Sequence, residues 1–328
     1  MRDYVLGTSG QIENALKIVD STVFYPAKNQ INNIVICGLG GSGIAGQIIA
    51  KLMESKVNKP VTVINDYDIP FFANQNTLVI VSSYSGNTEE ISSCILQAQE
   101  KKCEIACISS GGEVAQIATI NKYNWIKVPS GFPPRTCFAY SLIAQHALFQ
   151  HYGLINDSWK KEAQETVDYL NAHLEDIQLE AKRLADKLTN KIAVVYSSSK
   201  YNGVAVRFCQ QIAENAKQLC WSNKFPEMNH NEIVGWTTKN ENLSVVFLHF
   251  KNDHERVSKR MDLTKDVVKQ YASDVQSISS KGNSELQEVL YMVYLTDWVS
   301  VFIAENRKVD PIEIKAIDNL KNELSQII

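Results

Sequence analysis

Ser83-Tyr84-Ser85-Gly86-Asn87-Thr88-Glu89-Glu90 follows the apolar run Val79-Ile80-Val81 and has the residue types of an anion site. Free N–H groups at a helix start favour negative charge, and clustered hydroxyls add donors. One hydroxyl there could be a plain N-cap, but four in so short a stretch exceed what capping needs. The stretch is a candidate phosphate cradle. A second glycine-rich turn, Gly38-Leu39-Gly40-Gly41-Ser42-Gly43, fits the G-x-G-x-x-G pattern between a strand and a helix. A dinucleotide reading of that turn needs an acid ending the next strand about 20 residues on. Asp66 is the only candidate, and it lies further away in the polar run Asn65-Asp66-Tyr67-Asp68. A tight turn that needs glycine without any ligand is the simpler alternative.

Three other places carry ionisable groups with potential for chemistry. Arg135 follows Pro133-Pro134, so a rigid turn fixes its placement. A guanidinium held there supplies permanent positive charge that cannot act as an acid. Glu214 sits in Arg207-Phe-Cys-Gln-Gln-Ile-Ala-Glu214-Asn215, on a different helical face from the apolar positions 204, 208, 212 and 216. Position alone does not distinguish a solvated acid from one lining a cleft. The densest polar patch runs from Pro226 to Trp236 and contains Asn229-His230-Asn231-Glu232. Such a loop suits an ordered functional segment with His230 as an acid–base group. As metal ligands, His230 and Glu232 offer only two donors with no second cluster, so no metal is expected.

The elements that must position these groups alternate. Strands are expected at 34–38, 61–64, 78–82, 104–109 and 125–128, with helices at 8–30, from the glycine turn to 53, at 88–101 and at 114–120. Uninterrupted β-branched runs of this kind belong to strands covered on both faces. The alternation therefore predicts a doubly wound α/β domain with a parallel sheet. Prolines and a glycine at 129–135 break the pattern. Long helices follow at 136–151 and 158–188, and the expected boundary separates a first domain, 1–153, from a second, 154–328. The second half restarts with strands at 192–196, 243–247 and 275–279 and helices at 203–218, 254–271, 286–305 and 312–327, leaving 219–242 mostly irregular. Hydroxyls follow its first strand too, and the two halves look like a diverged duplication.

Composition narrows the partners. At 328 residues the chain can hold two ordinary domains. A net charge of −3 with no basic patch points away from nucleic acid and anionic membranes. No window approaches 18 uninterrupted apolar residues, so no membrane span is expected. The start, Met1-Arg-Asp-Tyr-Val-Leu-Gly, lacks a signal-peptide core. Seven cysteines with no C-x-x-C pair suggest reduced thiols in a cytoplasm.

The cradle resembles the phosphosugar-binding motif of sugar isomerase (SIS) domains. By that resemblance Ser83, Ser85 and Thr88 hold a phosphate, and Gly41 and Ser42 lie by the sugar. The ordered set Gly38–Gly46, Ser83–Thr88, Pro134-Arg135, Glu214-Asn215 and Asn229–Glu232 is similar to the bifunctional phosphoglucose/phosphomannose isomerases, which carry two SIS domains. The resemblance spans the chain from about residue 30 onward. It implies an aldose–ketose isomerase acting on hexose 6-phosphates without cofactor or metal. Glu214 would move a proton between C2 and C1, Arg135 would stabilise the enediolate, and His230 would open the ring from across a homodimer interface. A lysine of the last helix assists in that family, and Lys321 matches better than Lys315. Members commonly carry threonine after the Asp-Pro pair, where this chain has Ile312 after Asp310-Pro311. The residues suit the reaction: a carboxylate, an acid–base group, a fixed cation and remote phosphate binding are its requirements. The competing expectations are a non-catalytic sugar-phosphate sensor and a nicotinamide oxidoreductase resting on the glycine turn alone.

Overall fold

The fold is that of a computed structural model, which describes residues 1–324 and residue 326. In chain order its helices and strands are α1 (Arg2–Leu6), α2 (Thr8–Ser21), β1 (Asn33–Cys37), α3 (Gly40–Met53), β2 (Val61–Ile64), β3 (Thr77–Ser82), α4 (Glu89–Glu100), β4 (Glu104–Ser109), α5 (Gly112–Asn121), β5 (Asn124–Lys127), α6 (Phe138–His151), α7 (Ser158–Ala172), α8 (Leu174–Leu188), β6 (Ile192–Ser198), α9 (Asn202–Ala216), β7 (Cys220–Phe225), β8 (Asn240–His249), α10 (Glu255–Val268), β9 (Ala272–Ser279), α11 (Glu285–Arg307) and α12 (Lys315–Leu324). Both sheets are wholly parallel, ordered β2-β1-β3-β4-β5 and β7-β6-β8-β9. The second order repeats the first without its last strand, so the two halves share one winding. The α/β class and doubly wound design stand as the alternation predicts.

The inner strands of the first sheet are largely apolar because helices cover both faces. Every residue of β3 and β4 is buried. One large core cluster continues from the first sheet through α6 into α9 and α11, so the two halves pack as one body. Gly203 of α9 lies against Ile48 of α3, where an added Cβ would stand 2.7 Å from the isoleucine Cγ1. That close approach is what glycine permits at the seam between the halves. Helix α11 is buried from Leu286 to Ala304 and packs on α1, α7, α8 and α9. Among the described residues it alone is long and apolar enough to cross a membrane, yet its apolar stretch is wholly buried inside the protein.

Several boundaries differ from the sequence reading. The first long helix ends at Ser21, well short of residue 30. Beyond it the Asn124 side chain takes over the backbone of Tyr25, accepting from its N–H at 2.7 Å and donating to its carbonyl at 3.1 Å. The long helical section after 158 breaks at His173, whose ring stacks on Tyr169. Ser197 and Ser198 belong to β6 and do not follow it. The segment expected to be irregular contains β7, an edge strand whose sequence Cys-Trp-Ser-Asn-Lys-Phe has no apolar run to reveal it. Edge strands carry polar residues because half of their surface faces solvent. The last helix starts at Lys315, and the expected continuation to 327 falls partly outside the described residues.

Candidate active site

The cradle joins β3 to α4 at the carboxyl edge of the first sheet. Its hydroxyls hydrogen-bond within the loop. Ser83 Oγ lies 2.9 Å from Thr88 Oγ1 and accepts from the Gly86 N–H at 3.2 Å. Ser85 Oγ accepts from the Asn87 N–H at 3.3 Å. Thr88 is the N-cap residue of α4, with extended backbone, and its side chain makes no cap bond. The first-turn N–H groups of α4 are thus left without a side-chain cap. The loop's shape is imposed from behind. Gly86 has φ +74°, and a Cβ on it would collide with the Gly111 carbonyl at 1.9 Å. The Val114 and Glu113 N–H groups of α5 donate to the Gly86 carbonyl (3.0 Å) and Asn87 Oδ1 (2.9 Å). The second helix start therefore braces the cradle and leaves the first free for an anion.

The glycine turn after β1 leads into α3 and faces the same edge. A Cβ on Gly41 would stand 2.9 Å from the Pro134 carbonyl, so only glycine lets the turn approach the rim at 132–135. Tyr84 ties the cradle to that rim by accepting from the Phe132 N–H at 3.0 Å. Gly41, Ser42, Tyr84 and Pro134 line one cavity. The place where a dinucleotide would need its ribose-binding acid holds Asn65. Its Nδ2 donates to the Gly38 carbonyl at 2.5 Å, and Asp66 is turned onto the Tyr67 N–H. That side of the glycine turn is committed to the turn itself.

Arg135 is 5% exposed and spends every nitrogen. Its NH1 lies 3.4 Å from Glu214 Oε2, its Nε donates to Asn215 Oδ1 at 2.8 Å, and its NH2 reaches the carbonyls of Pro311 (2.5 Å) and Ile312 (3.5 Å). Burial pulls the guanidinium down from its usual range, while Glu214 and Asp310 hold it up. Arg135 remains a cation at any working pH. Glu214, in the last turn of α9, is half-buried against it. The carboxylate is thus ion-paired with a buried cation and only partly solvated. The contact at Ile312 is made by its carbonyl, so the departure from threonine leaves that contact to Arg135 in place.

A buried polar stripe holds this pair, and sequence reasoning passed over it. Arg207, Gln211 and Asn215 recur every fourth residue along α9, beside its apolar stripe, and all three are buried. Arg207 NH2 donates to the Arg135 carbonyl at 3.1 Å and to Asp297 Oδ2 at 2.6 Å. Gln211 donates to Asp297 Oδ1 at 3.0 Å, and Asn215 Nδ2 to Ser300 Oγ at 2.9 Å. Arg207 also lies 4.5 Å from the Phe138 ring centre. The i, i+4, i+8 spacing of polar residues next to apolar ones is the signal that could have found them.

Lys217 fastens the C-terminal segment over the pair. Its Nζ donates to the carbonyls of Glu214 (2.5 Å) and Glu313 (2.7 Å). Burial, then the neighbouring Arg135, lowers its proton affinity. Losing two such bonds, at about 1.5 kcal/mol or more for charge-assisted donors, is enough for roughly tenfold more opening. Lys217→Met is therefore expected to speed amide exchange at 312–318 by about tenfold or more, while exchange in β3 is unchanged. Exchange unchanged at 312–318 would show that the lysine is not the latch.

His230 is not brought to this cluster. It ends a short 3-10 turn, Glu227–His230, and is exposed. Glu214 precedes β7 and His230 follows it, so the two stand at opposite ends of a six-residue strand, about 20 Å apart. Glu232 is drawn inward, held by the Tyr196 hydroxyl and by Asn223 Nδ2 at 2.5 Å. It anchors the loop and is not paired with His230. Lys321 lies on α12, whose residues are all exposed, and makes no hydrogen bond or ion pair with a described residue, and Lys315 pairs with Glu313 at 3.4 Å.

Two parallel-sheet domains of one winding, with a hydroxyl cradle at the first sheet's carboxyl edge, define a double-SIS protein. The SIS domain family matches residues 29–150, and the bacterial phospho-glucose isomerase C-terminal SIS domain family matches residues 177–324. The chain is 38% identical to the bifunctional phosphoglucose/phosphomannose isomerase of Caldicellulosiruptor bescii, over 100% of this chain and 99% of that protein. It is 36% identical to the enzyme of the same name from Aquifex aeolicus, over 89% and 90%. The fold is shared with the C-terminal domain of glucosamine-fructose-6-phosphate aminotransferase from Francisella tularensis, at TM-score 0.75 and 12% identity, covering 94% of this chain and 98% of that one. The chain belongs to the bifunctional phosphoglucose/phosphomannose isomerase family.

Proposed function

We propose that this chain interconverts glucose 6-phosphate and mannose 6-phosphate with fructose 6-phosphate by proton transfer through a cis-enediolate. Ser83, Ser85 and Thr88 hold the phosphate, with Gly41 and Ser42 beside the sugar. Glu214 removes the C2 proton of the opened aldose and returns it to C1. That step erases the C2 configuration, so one enediolate connects both aldoses to one ketose. Arg135 stabilises the negative oxygen from a fixed, buried position. The observation that carries this reading is the 3.4 Å approach of Glu214 to Arg135 at the rim of the cradle. It unites a base from the second half with a cation and a phosphate site from the first. The residues from 1 to 153 supply the cradle and those from 154 to 328 the base. The free thiols favour the cytoplasm.

His230 opens the sugar ring, contributed by a second copy of the chain. The separation of Glu214 and His230 along β7 supports that arrangement, since one copy cannot place both on the same hexose. Lys321 assists from the C-terminal helix. The relatives named above are enzymes, which favours catalysis over a sensing role. In a coupled assay with EDTA present, fructose 6-phosphate is expected to form from both aldose phosphates at undiminished rate. Formation from neither, or only after added metal, would overturn the mechanism.

A further inference from the structure

Of the seven free cysteines, five are buried, and only Cys209 and Cys220 are partly exposed. These two meet because α9 turns directly into β7. Lys217 ends the helix in the left-handed region, at φ +53°, and the strand begins at Cys220 and lies against the helix. Trp221 is exposed on the outer face of β7, so the alternation of the strand turns Cys220 and Ser222 toward α9. Cys220 Sγ donates to the Cys209 carbonyl at 3.2 Å, and the two thiols lie within hydrogen-bonding reach of each other. A second thiol pair, Cys37 and Cys94, is fully enclosed and closed to a dissolved oxidant.

The segment between Cys209 and Cys220 contains Glu214, Asn215 and Lys217. These are the residues that meet Arg135 and fasten the C-terminal segment. An S–S bond is about 2.05 Å long, shorter than any contact between two thiols. Closing it draws the last turns of α9 onto β7, whereas Arg135 stays on the first half of the chain. The spacing of Glu214 and Arg135 therefore changes with the state of the two sulfurs.

We propose that Cys209 and Cys220 are a modification site, forming a reversible disulfide by exchange with a small-molecule disulfide and so lowering turnover through Glu214. One cysteine, as thiolate, attacks a sulfur of the small disulfide and expels a thiolate, leaving a mixed disulfide. The other cysteine attacks the protein sulfur of that bond and expels the second thiolate. Two protein thiols are oxidised, one small disulfide is reduced, and both protein protons leave with the expelled sulfurs. The effect on turnover rests on Glu214 being the base, and the cross-link does not.

The full chain is treated with oxidised glutathione, alkylated and cut with trypsin, which places the two cysteines on separate peptides, Phe208–Lys217 and Gln218–Lys224. Mass analysis is expected to find these peptides linked, and dithiothreitol to part them. Turnover of the same sample is expected to fall about tenfold or more and to return with dithiothreitol. Cys209→Ser and Cys220→Ser, each first checked for a wild-type melting profile, are expected to keep their turnover in the oxidant. If one variant does not fold, the other decides. Because the linkage is read by mass, it is decided even if Glu214 is not the base. Glutathione retained on either cysteine without linkage, Cys37 linked to Cys94 in its place, or linkage with turnover unchanged would each overturn the proposal.

Discussion

Glu214→Gln is expected to lower turnover by about 10³- to 10⁴-fold, with sugar-phosphate affinity within about threefold of wild type. The amide keeps the size and position of the side chain but cannot carry the proton between C2 and C1. On the proposed reading affinity survives, because the cradle of Ser83, Ser85 and Thr88 would hold the phosphate without reference to Glu214. The two readouts separate cleanly: initial rates in the coupled assay report the proton step, and calorimetric titration reports binding. A loss of affinity equal to the loss of rate would mean that Glu214 serves binding. Turnover near wild type would remove it from the mechanism.

The second large effect concerns residues that never touch substrate. Arg207 and Asp297 form a buried ion pair, and Arg207 also donates to the Arg135 carbonyl. Burial raises Asp297, while Arg207 and then Gln211 draw it back toward the charged form. Asp297→Ala leaves a guanidinium buried without a counter-charge, and the expected loss is about 3–5 kcal/mol of unfolding free energy in urea melts. Replacing both partners by apolar groups of similar volume, Arg207→Met with Asp297→Leu, is expected to recover most of that stability. Turnover in the double variant is nonetheless expected to stay down by up to about 10²-fold, because Arg135 has lost the donor on its backbone. A double variant with both stability and turnover restored would make the pair purely structural.

How far the site was legible follows from where each signal lives. The cradle and the glycine turn are contiguous in sequence, and their spacing encodes a local shape. The inner strands β1, β3 and β4 announce themselves by their apolar runs. Edge strand β7 does not, because its solvent-facing side is polar. Glu214 carries no local mark either. What sets it apart from a fully solvated acid is Arg135, which arrives from the first half of the chain through a turn set by Pro133 and Pro134. The Arg207–Gln211–Asn215 stripe is present in the sequence, but polar residues beside an apolar stripe have the pattern of a solvated face, and their burial depends on Asp297 and Ser300 of a distant helix. The gap between Glu214 and His230 depends on their lying on either side of β7, and so could not be read while that strand went unrecognised.

That gap yields the most direct test of a site assembled from Glu214 of one copy and His230 of another. Glu214→Gln and His230→Ala, each inactive alone, are mixed, unfolded and refolded together. Random pairing makes half of the dimers hybrid, and each hybrid has one site with both residues intact, so about a quarter of wild-type activity is expected. A mixture as inactive as its two components would contradict the shared site.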